Sequence, residues 1–240
     1  MKLKDFKVLT FDCYGTLIDW ESGMFAALAP LTGRAGRSLS RDEVLEAHAR
    51  HESAQQRQTP AKRYAEVLAT VYRRLAEEWE VSVTWEECLH YGLSIKDWPA
   101  FPDSTAALRY LKQHYLLVIL SNVDNRSFAA SNARLGVEFD AVYTAEDIGS
   151  YKPADANFEY LLARLGERGF GKQDLLHTAE SLFHDHAPAN RHGLRSCWIY
   201  RRHAQGGFGA TMPPGDLPHY DFRFNSLAEM AEAHRQEMKG

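Results

Sequence analysis

Five short apolar runs constrain this chain more than any other feature. They are Lys7–Phe11, Tyr115–Leu120, Ala141–Thr144, Leu175–Thr178 and Ser196–Tyr200, all rich in β-formers and bounded by polar or turn residues. Continuous rather than alternating apolarity predicts strands buried on both faces. Helical patterns lie between them, at Ser104–His114, Ser127–Leu135, Pro153–Leu165 and Ala187–His192. Strands alternating with helices predict an α/β fold, a parallel sheet with helices on both faces. In such sheets ligands sit beyond the carboxyl ends of the strands. The polar residues that end these runs are therefore expected to converge.

The segment from Leu17 to Trp98 breaks the alternation and reads as helix only. Ser40–Glu43 and Thr84–Glu87 have capping-box spacing. Thr59-Pro60 is expected to cap and open a further helix, and Lys62–Trp79 has apolar residues at helical spacing. The division is thus residues 1–16 and 99–240 as the core and 17–98 as an inserted α-helical cap. The Gly/Pro-rich stretch His203–Asp216 reads as a loop.

A chain of 240 residues suits one large domain or a core with an insert. A net charge of −4 and a pI near 6.3 argue against a nucleic-acid partner. No apolar run reaches the roughly 18 residues of a membrane span. The opening "MKLKDFKVLTF" has no secretory h-region, so a cytoplasmic location is expected. Cys13, Cys88 and Cys197 have neither disulfide nor zinc spacing and read as small core residues.

Four strand ends carry suggestive chemistry: Asp12 with Thr16, Ser121 with Asn122, Lys152, and the acids Glu180 and Asp185. Together, in this order, "FDCYGTL", "ILSNVDN", "SYKPADANF" and "AESLFHDHAPA" resemble the four motifs of the haloacid dehalogenase-like hydrolase superfamily. The resemblance covers nearly the whole chain. It implies a Rossmann-like core, a helical cap and Asp12 as a covalent nucleophile. The residues suit such chemistry. A carboxylate nucleophile splits one hydrolysis into two displacements through an ester. Gly15 allows a sharp turn. Thr16 and Ser121 offer hydroxyls, Lys152 keeps the acids ionised, and Asp185 polarises water.

Within the superfamily, phosphatases place a second Asp two residues after the nucleophile, as general acid for an alkoxide. Here that residue is Tyr14. A halide leaves without a proton. "DCYGT", Ser121-Asn122, "SYKP" and "GLRSCWIYR" are similar to the L-2-haloacid dehalogenases. That resemblance implies hydrolytic dehalogenation of a small 2-haloacid or related C–X bond, with no cofactor. Ser121 and Asn122 would bind substrate carboxylate or halide, and Tyr14 would line the site. It also implies a small anionic substrate, a homodimer through the cap, and a cap arginine for the halide, with Arg50, Arg57 and Arg63 as candidates.

The chain departs from that branch at Glu180 and Leu182, where those enzymes have Ser and Asn, and at Phe158, where they have Tyr. Glu180–Asp185 spacing matches the phosphatase magnesium motif instead. A Mg²⁺-dependent phosphatase is therefore the alternative, with Asp12, Glu180 and Asp185 holding the metal. Otherwise Glu180 is expected to pair with Lys152. A diverged binding protein is a third reading, opposed by the cost of retaining buried charges without use. His184 and His186 flank Asp185 and are expected to point opposite ways.

Overall fold

The computed structural model describes residues 1–240. Six parallel strands form one sheet in the order β3-β2-β1-β4-β5-β6. They are β1 (Val8–Phe11), β2 (Leu116–Ser121), β3 (Ala141–Thr144), β4 (Leu175–Ala179), β5 (Arg195–Ile199) and β6 (Phe222–Phe224). Leu9, Phe11, Leu117 and Ile119 pack into one core, and Val8, Val118 and Leu120 into another on the opposite face. Burial on both faces is why these runs are apolar without alternation. The last strand, β6, is only three residues long and only partly buried, so it lacks an apolar signature.

After β1 the chain enters four consecutive helices: α1 (Trp20–Thr32), α2 (Arg41–Gln58), α3 (Tyr64–Glu78) and α4 (Trp85–Gly92). Both capping boxes form, at Ser40/Glu43 and Thr84/Glu87, each contributing about 1 kcal/mol. The expected helix start at Thr59-Pro60 is corrected. Thr59 closes α2 by donating its N–H to Gln55 O, and α3 begins only at Tyr64. Pro60 disfavours helical geometry at the residue before it, so α2 stops there. Gly92 lets α4 cross α3, because a Cβ there would meet Ala65 O at 2.2 Å.

The chain's two crossings between the helical segment and the sheet run side by side. Asp19 N donates to Pro99 O at 2.8 Å and Phe101 N to Leu17 O at 3.0 Å. The remaining helices are α5 (Ser104–Leu111), α6 (Asn125–Leu135), α7 (Ala145–Ile148), α8 (Asp155–Glu167), α9 (Ala187–Arg191) and α10 (Leu227–Lys239). α10, unforeseen in the sequence, packs on α5, and Tyr110 Oη bonds His234 Nδ1 at 2.9 Å. No helix is long and apolar enough to cross a membrane. All three cysteines are buried and free.

Candidate active site

The strand order changes direction at β1: the chain builds outward through β2 and β3, then returns to place β4 on its other side. The carboxyl end of β1 is therefore the topological switch point, and Asp12 follows it directly. Gly15 turns the loop with φ +92°, a conformation few L side chains adopt. Thr16, four residues after Asp12, donates its hydroxyl to Asp12 Oδ2 at 2.8 Å and accepts Glu180 N–H at 2.9 Å. One hydroxyl thus ties the β1 loop to the β4 loop.

Lys152 completes the floor. Its Nζ lies 3.0 Å from Asp12 Oδ1, 2.7 Å from Asp185 Oδ1 and 2.9 Å from Leu120 O. All three ammonium hydrogens are committed. The side chain is only 1% exposed. Burial acts to lower Lys152, but the Asp12 and Asp185 carboxylates outweigh it and hold the ammonium above its ordinary value. Burial drives the Asp12 carboxyl above its ordinary value, with Lys152 opposing and the Asp185 charge adding to the rise. Against its own burial, Lys152 and His177 hold Asp185 well below the usual carboxylate range.

His177 was not foreseen. It sits inside β4, where its Nε2 donates to Asp185 Oδ1 at 2.9 Å and its Nδ1 meets Thr10 Oγ1 at 2.8 Å. A five-residue chain therefore runs Thr10–His177–Asp185–Lys152–Asp12. Asp185 is delivered by a π-helical turn, Leu182–His186, which Ser181 caps by accepting His184 N–H at 2.9 Å. Asp185 Oδ2 is buried without a partner, on a residue that lines the cavity with Asp12. His184 lines it too, and burial pushes its imidazole down to about 4, hence neutral. His186 turns into the core, bonding Ser196 Oγ and Ala179 O at 3.0 Å each.

The second-strand residues divide. Ser121 Oγ is buried and unpartnered. Asn122 lines the cavity, but both ends of its amide are engaged: Oδ1 accepts Lys152 N–H at 2.6 Å and Nδ2 donates to Lys152 O at 2.9 Å. Asn122 therefore positions Lys152. Tyr14 lines the cavity, while its hydroxyl turns to α6, 2.8 Å from Ser131 Oγ.

Glu180 is not paired with Lys152, contrary to expectation. It lines an adjacent cavity with Glu21, Arg201 and Arg202, where burial, then the Glu21 and Asp12 charges, push it up to about 8. No three His, Cys, Asp or Glu side chains group together, and Lys152 Nζ stands between Asp12 and Asp185. Of the three expected magnesium ligands, Asp12 and Asp185 line one cavity and Glu180 the adjacent one. Arg201 holds the nucleophile loop from behind, donating to Thr16 O at 2.9 Å while paired with Asp103.

The cap arginines are also corrected. Arg50 pairs with Glu78, Arg57 donates to Ser53 Oγ at 2.7 Å, and Arg63 pairs with Glu146. None lines the Asp12 cavity. The ceiling is instead Glu52 and Gln56 of α2 with Tyr64 of α3. Gln56 Nε2 donates to Glu52 Oε1 at 3.1 Å, and His48 Nδ1 lies 3.4 Å from Glu52 Oε2. The sequence signal was His48, Glu52 and Gln56 at successive i, i+4 positions, a polar stripe where α2 is buried. The cavity holds about 30 Å³. A larger cleft of about 710 Å³ between α1 and α4 contains none of these residues.

Solved structures share this fold across nearly the full length. An L-2-haloacid dehalogenase matches at 21% identity over 98% of this chain and 100% of its own, TM-score 0.76. The L-2-haloacid dehalogenase of Xanthobacter autotrophicus with covalently bound chloropropionic acid matches at 18% identity over 96% and 98%, TM-score 0.76. The magnesium-bound putative HAD-hydrolase YfnB of Bacillus subtilis matches at 18% identity over 95% and 97%, TM-score 0.72. No curated protein matches the sequence significantly. The haloacid dehalogenase-like hydrolase family pattern matches residues 6–177. With its capped parallel α/β core, this chain belongs to the haloacid dehalogenase-like hydrolases.

Proposed function

We propose that the protein hydrolyses a carbon–halogen bond of a small molecule through an Asp12 ester, without a metal. Asp12 attacks the carbon: its C–O bond forms as the carbon–halogen bond breaks, and the halide leaves with the bonding pair. Water then adds to the ester carbonyl. The alcohol departs, Asp12 regains its carboxylate and one proton is released. Lys152 orients Asp12 in the first step. In the second, the unpartnered Oδ2 of Asp185 takes the water's hydrogen.

The observation that carries this reading is Tyr14. Where a phosphatase needs a proton donor, this chain has a phenol that burial raises well above its ordinary value and whose hydroxyl is spent on Ser131. Asp185 is held ionised by Lys152 and His177, and the protonated Glu180 faces the adjacent cavity. Loss of a general acid costs about 10²–10⁴ in rate for a poor leaving group and nothing for a halide. The dehalogenase neighbours support the reading through their shared fold. Halide release that survives EDTA, with no hydrolysis of p-nitrophenyl phosphate with or without Mg²⁺, is the expected result. Asp12→Asn abolishes turnover while keeping the circular-dichroism spectrum. Phosphate release sensitive to EDTA overturns the reading.

A further inference from the structure

The floor alone does not say what the rest of the substrate looks like; the ceiling does. The charged side chains on the cavity are Asp12, Asp185, Glu52 and Lys152. Lys152 has no N–H left for a substrate carboxylate, because Asp12, Asp185 and Leu120 take all three. No arginine lines the cavity. Glu52 is 7% exposed, and Gln56 occupies one side of its Oε1. A carboxylate has about four acceptor sites, so Glu52 keeps capacity for a further donor. His48 stands behind it, fully buried and off the cavity wall, so it makes no direct contact with a guest.

We infer that the group meeting the cap is a hydrogen-bond donor without negative charge, and that Glu52 with Gln56 selects it. The substrate is then a small halogenated amide, alcohol or amine, not a 2-haloacid anion. This rests on the carbon–halogen hydrolysis proposed above and names its substrate class. Two like charges about 5 Å apart at an effective dielectric near 20 repel enough to weaken binding on the order of a hundredfold. The anionic substrate implied by the sequence resemblance meets that repulsion here, and the one cation on the cavity, Lys152, is already shared between two carboxylates.

Chloroacetamide and chloroacetate have nearly the same shape and differ in charge, which makes them a direct test. The amide reacts as the mechanism requires: the Asp12 oxygen displaces chloride, water cleaves the ester, and glycolamide, chloride and a proton result. Wild-type protein is expected to favour chloroacetamide at least tenfold in kcat/KM, and Glu52→Gln to reduce that preference several-fold. Equal turnover, or faster chloroacetate, overturns the inference. A second arm needs no chemistry. Acetamide and acetate are titrated against the fluorescence of Trp20, which lines the cavity. Acetamide binding at least tenfold tighter upholds the assignment of Glu52 even where neither chloro compound releases halide, a result that sinks only the hydrolysis reading. Equal or tighter acetate binding overturns it.

Discussion

The floor and the ceiling of the cavity are built by different rules. The floor is made of strand ends, and its charges interlock: one ammonium serves two carboxylates, with His177 and Thr16 bracing them. The ceiling is Glu52 and Gln56 of α2 with Tyr64 of α3, joined to the sheet side by bonds such as Ala65 N to Asp124 Oδ2 at 3.2 Å. A buried charge in the floor is tied to three elements at once. A ceiling residue is expected to change with little effect on the elements beneath it. On the mechanism proposed above, the floor carries the reaction and the ceiling meets the rest of the substrate.

The comparison breaks most visibly at Lys152. Lys152→Met leaves two buried carboxylates facing each other, and removing one partner of such a pair costs about 3–5 kcal/mol. Chemical denaturation should show that loss, with turnover abolished. Retained activity would mean the floor's charges are not interdependent. Thr16→Val is next: Asp12 Oδ2 and Glu180 N–H lose a common partner, which costs about 1–3 kcal/mol. By contrast, Glu52→Gln is expected to leave the unfolding midpoint within about 1 kcal/mol of wild type.

Glu180 sharpens the comparison through pH. Its native carboxyl titrates near 8, above the ordinary ~4.3, so the folded state binds the extra proton between those values. The neutral form's stability is complete below ~4.3 and falls as pH rises toward 8. Glu180→Gln should flatten that slope in pH-dependent thermal melts; an unchanged slope excludes the residue as its source. The smallest effect belongs to the cap arginines. Arg50→Ala, Arg57→Ala and Arg63→Ala remove exposed pairs or bonds and should each change stability by about 0.5 kcal/mol or less, with kcat/KM unaltered. A tenfold activity loss in any of them would put an arginine back in the ceiling.

The asymmetry also governs what could be read from sequence. Asp12, Thr16, Lys152 and Asp185 follow strands at recognisable spacing, and they do converge. His177 was hidden because it interrupts an apolar run as one polar residue among buried neighbours, its partner Thr10 being in register on β1. Glu180 was misread because spacing alone does not tell which way a side chain leaves a loop; Trp20 and Gly15 pack beside it and open it to the next cavity. The cap's contribution depends on the rotation of α2 about its axis, which its polar sequence leaves undetermined until α3 packs against it.

In the hydrolysis proposed above, Lys152's shared position gives the cycle an alternating charge. At rest the floor carries one more negative than positive charge, because one ammonium faces two carboxylates. Esterification of Asp12 cancels that excess as the halide departs, so the intermediate is an internally neutral Lys152–Asp185 pair. Deacylation restores the excess and sets a proton loose in a cavity with little room for water. The two half-reactions should therefore differ in their response to anions in the medium: chloride held near the floor opposes the return to the resting carboxylate but not the neutral ester. Under that mechanism, product inhibition by halide is expected in the second half of the cycle, as Asp12 regains its charge.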